Sequence, residues 1–251
     1  AIVDHLISAA VLDMELLDSA SALLHLDRAL THGQRVSDAQ YFKALALIQL
    51  KDVSSALKAL GAVGPSKNYT RALREAAAIL VSQGDIGAAN AFFEQHRQTH
   101  AGGAELNFAL HAETLQTLGS TEAESVLTRG ISHFPTSTRL LFARANFREG
   151  AGLFELAEAD YRQILHLNPG DANALNALGY ALTNNTNRFA EAAGLLEEAI
   201  SKDPRNPAII DSPGWVYFKL GKDRRAELLL KEAYKQYPDP EVAAHLIELL
   251  W

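Results

Sequence analysis

The chain has 251 residues, 48% of them apolar and 21% charged, which is enough to bury a sizeable core and too apolar for a disordered segment. Its formal net charge of −7 argues against a nucleic-acid partner, whose phosphates call for a basic face. Without cysteine there is no disulfide, thiolate metal site or cysteine nucleophile, and no run of about 18 apolar residues offers a membrane-spanning helix.

In chain order, the opening stretch AIVDHLISAAVLDMELL is already helical in period and has no initiator Met, so the chain reads as a fragment or a matured piece. Helical pairs follow, the first three of them (1–102) irregular. Breaker-rich loops interrupt them at GAVGPSKN (Gly61–Asn68) and THAGGAE (Thr99–Glu105), where the stacking direction of the pairs can change. More regular pairs run over 103–238, with TNNTNR (Thr183–Arg188) lengthening one internal turn by a residue. DSPGWVYFKLG (Asp211–Gly221) reads as the first helix of the last pair, with Pro213 about six residues inside it. There a proline removes a hydrogen bond to the Ile209 carbonyl and costs roughly 3 kcal/mol in a regular helix. Either the helix starts late, near Ser212, or it kinks. The closing DPEVAAHLIELLW (239–251) reads as one more first helix, covering the last apolar face.

A repeat organises these elements. Ala22, Ala56, Ala89, Ala123, Ala157, Ala192 and Ala226 follow one another at steps of 34, 33, 34, 34, 35 and 34. Four residues after each stands a large residue: Leu26, Leu60, Phe93, Leu127, Tyr161, Leu196 and Leu230. Twelve or thirteen before each stand Ala10, Ala44, Ala77, His111, Ala145, Gly179 and Gly214, mostly small enough to let two helix backbones approach. Pro135, Pro169, Pro204 and Pro238 close four pairs in register, and Gly84, Gly119, Gly152 and Gly221 mark internal turns. The reading is one all-α solenoid over 1–251, about seven helical hairpins and a C-terminal helix.

Little in the chain promises chemistry. There is no phosphate loop, G-x-S-x-G elbow or H-E-x-x-H, so no catalytic residue, cofactor or metal is expected and the chain reads as a non-enzyme. His96 and His100 stand four apart, as two metal ligands would, but lack a third and read as a solvated helix end. Carboxylate pairs such as Glu197 and Glu198 read as exposed charge, and the NYT and NNT triplets at Asn68 and Asn184 as chance matches to a glycosylation pattern.

A binding surface is the better candidate. In stacked hairpins the first helix of each pair lines an inner wall. If the small residue faces its partner helix, positions three before, one after and four after it share the wall. They select Phe108, Phe142, Asn146, Asn176, Tyr180, Asp211, Trp215 and Phe218 as partner-binding residues. Aromatic side chains bury much area at little entropic cost, and Asn146 and Asn176 can both donate to and accept from an extended backbone. The same arithmetic places Tyr41, Leu45 and Ile48 on the wall of the second pair.

The 34-residue helix–turn–helix period with these positions resembles the tetratricopeptide repeat family over nearly the whole chain. That resemblance implies a right-handed superhelix that binds proteins or extended peptides, self-association included. The family's carboxylate clamp carries cations on the wall; here Phe142, Asn176 and Ala208 stand at such positions, so a hydrophobic or extended-chain partner suits the wall better than an acidic tail. Over about the last eighty residues, LNALGYAL, the DSPGW segment and DPEVAAHLIELLW are similar to bacterial outer-membrane tetratricopeptide lipoproteins of pseudomonads and relatives. Where that group has an ordinary helix former this chain has Pro213. The likeness implies a periplasm-facing adaptor that tethers a carboxy-terminal processing protease, its substrates or an assembly machine, with any lipid anchor outside this chain. The alternative is a cytoplasmic co-chaperone or assembly factor using the same wall.

Overall fold

A computed structural model describes residues 1–251, the side chains of 207 and 208 excepted, and among the described residues every regular element is helical. The chain divides into two compact units, Ala1–Phe134 and Pro135–Trp251. The division falls at neither breaker-rich loop.

The first unit holds α1 (Ile2–Glu15), α2 (Ser19–Thr31), α3 (Val36–Gln49), α4 (Val53–Gly61), α5 (Tyr69–Gln83), α6 (Ile86–Thr99), α7 (Ala104–Thr117) and α8 (Glu122–His133), with a single 3-10 turn, Ala101–Gly103, before α7. Consecutive helices pair as hairpins. The irregular early pairs keep firm starts: Asp18, Asp52 and Asp85 each accept a backbone N–H three residues on, from Ser21, Ser55 and Ala88. Such a cap contributes about 1 kcal/mol. The second loop is pinned rather than open, since the Tyr69 hydroxyl donates to the Gly103 carbonyl at 3.1 Å. A Cβ on Gly103 would lie 2.1 Å from that hydroxyl, so only glycine fits.

The second unit holds α9 (Thr138–Gly150), α10 (Phe154–Leu167), α11 (Ala172–Asn185), α12 (Phe189–Lys202), a one-turn α13 (Pro207–Ile210), α14 (Ser212–Lys219), α15 (Asp223–Gln236) and α16 (Pro240–Leu250). In both units the closing prolines act as expected. α8, α10, α12 and α15 end two residues before Pro135, Pro169, Pro204 and Pro238, because the residue preceding a proline is pushed out of the helical region. The turn glycines Gly84, Gly119, Gly152 and Gly221 have φ between 67° and 76°, and Leu17 and Lys51 take the same left-handed turn position at φ 61°.

The repeat positions build the core. The large residues Leu26, Leu60, Phe93, Tyr161, Leu196 and Leu230 are wholly buried. Opposite them the small residues set the helix spacing: a Cβ on Gly179 would sit 2.6 Å from Leu196 Cγ, and one on Gly214 2.7 Å from Leu230 Cγ. In the third hairpin the register shifts by one. Ala76, not the expected Ala77, is the fully buried contact.

Pro213 starts a helix rather than kinking one. α13 stops at Ile210, and α14 begins afresh at Ser212, with the Asp211 carbonyl accepting from Gly214 N at 2.8 Å and Trp215 N at 3.2 Å. The second residue of a helix has no intrahelical acceptor for its N–H, so the proline's missing donor costs nothing there.

Candidate functional site

The second unit carries a groove of about 680 Å³ whose walls come from α9, α10, α11, α14 and α16. Its floor is Tyr161, wholly buried, whose hydroxyl lies 2.8 Å from Asn146 Oδ1 and 2.9 Å from Glu149 Oε2. Burial and the Glu149 carboxylate push that hydroxyl's pKa far up, so it stays a neutral donor. Tyr180 repeats the arrangement, donating to Glu241 Oε1 at 2.5 Å, with burial and that carboxylate raising its pKa. The rim adds Asn176, Asn206, Asp211, Tyr237 and Asp239. Four carboxylates line the groove, and among the described lining residues there is no Lys or Arg.

Of the eight wall residues expected from the sequence, the groove brings together four: Asn146, Asn176, Tyr180 and Asp211. Phe142 stands behind it, edge-on to Tyr161 at 5.7 Å between ring centroids. Phe108 belongs to the first unit and is 6% exposed. Trp215 is no open anchor: it is 5% exposed because α16 lies against it. His245 stacks on the indole at 4.1 Å and 14°, the indole N–H of Trp215 donates to Asn184 Oδ1 at 2.8 Å, and Lys219 Nζ lies 4.0 Å from the indole ring centroid. Phe218 packs beside it at 5.4 Å and is half-buried. The terminal helix does cover the last apolar face, with Val242, Leu246 and Leu249 against Ile210, Leu230 and Ala233. Of the expected stripe of aromatics and amides, the amides stay in the groove, where four carboxylates join them, while the aromatic members other than Tyr180 are largely used up in packing. The Ala208 side chain lies outside the described residues.

The two histidines expected on a solvated helix end are both bonded to backbone carbonyls. His96 is not on a solvated helix end but 2% exposed, its Nε2 3.2 Å from the Val63 carbonyl, because the 62–68 loop folds back over α6. His100 likewise reaches the Gly61 carbonyl at 3.2 Å. Among the described residues no three His, Asp or Glu side chains are placed to hold a metal ion. Asp160, on α10, is 4% exposed and binds both Arg144 and Arg148. Its position was readable: Asp160 lies three after Ala157 and four before Ile164, on the inward stripe.

The buried histidines make the first unit acid-sensitive. Burial pulls His96 down to about 4 and His111, stacked on Phe93 at 4.9 Å, down to about 3. Their folded pKa values lie below the free value near 6.5, so the unfolded chain binds more protons in between, and stability falls as pH drops from about 6.5 towards 4. We expect a loss of about 2 kcal/mol per histidine between pH 7 and pH 5, read by urea unfolding followed by circular dichroism. A His111→Gln variant should show a flatter slope. Equal stability at the two pH values would contradict the burial described.

Stacked antiparallel helical hairpins with a groove on the first-helix side define a helical-repeat solenoid of the protein-binding class. A tetratricopeptide repeat model matches residues 8–70 and 142–207, and a second of the same description matches 185–247. The chain belongs to the tetratricopeptide repeat family. It is 33% identical over 213 residues to the TPR repeat-containing protein PA4667 of Pseudomonas aeruginosa, spanning 84% of this chain and 36% of that protein. It is 28% identical to bacteriophage adsorption protein A of Escherichia coli K12, over 74% of this chain and 19% of the other. It therefore spans well under half the length of either curated relative. Among solved structures, the MamA protein matches with a TM-score of 0.53 at 17% identity, over 68% of this chain and 93% of that one. The APC/C hetero-tetramer Cut9–Hcn1 matches with a TM-score of 0.58 at 15% identity, over 94% of this chain and 48% of that one. These two likenesses concern the fold alone. No helix among the described residues is long and apolar enough to cross a membrane.

Proposed function

We propose that this chain is a non-enzymatic adaptor that holds a protein partner by an extended, cationic segment laid in the groove of the second unit. The observation that carries this reading is the groove's lining: the amides of Asn146, Asn176 and Asn206 beside the carboxylates of Glu149, Asp211, Asp239 and Glu241. Amide side chains match both the N–H and the C=O of an extended backbone, while the carboxylates select Lys or Arg and repel an acidic tail. The tyrosines add flat surface at little entropic cost. An adaptor of this kind works by tethering, which raises the effective concentration of the molecules it brings together.

The compartment we assign is the periplasmic face of a bacterial outer membrane, with a carboxy-terminal processing protease or its substrate as the partner. Support comes from the last eighty residues' resemblance to pseudomonad lipoproteins and from a relative named for bacteriophage adsorption. A cytoplasmic co-chaperone reading is disfavoured by the groove's charge, which opposes the acidic tails such proteins capture.

The reading is tested with two labelled peptides, acetylated and amidated and of equal length, one bearing lysines and the other glutamates at the same places. Fluorescence anisotropy should show binding of the lysine peptide, weakening with salt. The Glu149→Gln, Glu241→Gln double variant should bind it about tenfold more weakly, since a charge-assisted hydrogen bond contributes about 1.5 kcal/mol or more. Equal affinity for the glutamate peptide would remove the cationic partner from consideration.

A further inference from the structure

Each of the four groove carboxylates has one oxygen already engaged by the protein. Glu149 Oε2 lies 2.9 Å from the Tyr161 hydroxyl, and Glu241 Oε1 accepts from the Tyr180 hydroxyl. Asp239 Oδ1 accepts the backbone N–H of Glu241 at 2.8 Å, the bond that caps the start of α16. Asp211 Oδ2 has the edge of His245 against it, with Nδ1 at 3.3 Å. Among the described residues, no donor meets the second oxygen of any of the four.

The two tyrosines make this arrangement durable. Tyr161 is wholly buried and Tyr180 half-buried. Burial and the carboxylates beside them push both hydroxyls above the usual tyrosine range, so each keeps its proton. The Tyr161 hydroxyl has one hydrogen to give, and of its two neighbours the Glu149 carboxylate is a stronger acceptor than the Asn146 amide. A guanidinium recognises a carboxylate best by laying two parallel N–H groups on its two oxygens. Asp160 shows this in the same unit, where Arg144 binds one oxygen through Nε at 3.0 Å and the other through Nη2 at 2.7 Å. In the groove that fork finds a single free oxygen on each carboxylate. An ammonium is a compact charge with three donors on a rotatable head, and it needs one oxygen at a time.

We propose that the groove selects lysine over arginine in the extended segment it holds, with the Tyr161 and Tyr180 hydroxyls as the specificity-determining groups. By taking one oxygen each of Glu149 and Glu241, they leave single-oxygen sites that fit an ammonium and not a fork. The inference rests on the cationic-partner reading of the groove and narrows it to one side chain. Charge alone attracts both cations to the groove, and hydrogen-bond geometry separates them.

The test uses the full chain and two labelled peptides of one sequence, acetylated and amidated, the lysines of one replaced by arginines in the other. Fluorescence anisotropy at fixed ionic strength should show the lysine peptide bound about tenfold more tightly, the scale of one charge-assisted hydrogen bond. Tyr180→Phe removes one hydroxyl and frees both oxygens of Glu241, so the preference should narrow to about threefold or less. Tyr161→Phe, checked for folding by circular dichroism, should narrow it in the same direction through Glu149. The readout is a ratio of two affinities on one protein, which a partial loss of folded material does not move. Equal binding of the two peptides, tighter binding of the arginine peptide, or a lysine preference unchanged in both variants would overturn the selectivity and leave the cationic groove standing. Binding of neither peptide would remove the groove reading itself, and this inference with it.

Discussion

Trp215→Ala is expected to lower the stability of the second unit by about 3–5 kcal/mol, the range for truncating a buried aromatic side chain. Three contacts go at once. They are the His245 ring stacked at 4.1 Å, the hydrogen bond to Asn184, and the Lys219 ammonium over the indole. The loss should appear first in α16, whose hold on α14 runs through that stack. Limited proteolysis should then cut within 240–250 before the remainder of the chain, and urea unfolding by circular dichroism should give the magnitude. Trp215→Phe keeps an aromatic surface but forfeits the N–H and part of the buried ring, so it should cost less than alanine, about 1–3 kcal/mol. If alanine cost less than about 0.5 kcal/mol, as at an ordinary surface site, Trp215 would be an open anchor after all. The same experiment therefore decides between the packed tryptophan described here and the groove-wall tryptophan that the repeat register suggests.

That contrast marks how far the sequence reaches. The hairpin core was readable because its demands recur at a step of about 34: a small residue such as Gly179 must stand where Leu196 presses against the backbone, and it does so in most of the hairpins, His111 being the exception. Chain punctuation was readable for local reasons, proline ending helices and glycine taking the left-handed turn. The wall arithmetic and the groove share Asn146, Asn176, Tyr180 and Asp211, since direction around a helix follows from its geometry alone. The arithmetic did not say what lies in that direction. Trp215 and Phe108 point where expected and meet, respectively, another helix and a neighbouring guanidinium, which are facts of tertiary placement. His96 shows the same limit from the polar side. Its partner, the Val63 carbonyl, is 33 residues away in a loop with no period of its own.

Polar residues on inward stripes are where this matters most, and Asp160 is the sharpest case. Asp160→Ala is expected to destabilise the second unit by about 3 kcal/mol or more, because it withdraws one carboxylate from two guanidiniums. Arg144 reaches it through Nε at 3.0 Å and Nη2 at 2.7 Å, in the forked geometry that suits a carboxylate, and Arg148 through Nη1 at 2.8 Å. All three side chains are 15% exposed or less, so water can make good only part of the loss. Asp160→Asn separates charge from shape. It keeps an acceptor oxygen but places an amide donor against a guanidinium, and should still cost most of the alanine penalty. The position also sits beside Tyr161, the floor of the groove, so the ion pairs hold α9 and α10 in the spacing that lets one hydroxyl serve Asn146 and Glu149. Weakened binding of the lysine peptide by a folded Asp160→Asn protein would follow from that spacing. Undiminished stability in both variants would mean that the two arginines are satisfied without the aspartate, and that the groove does not depend on it.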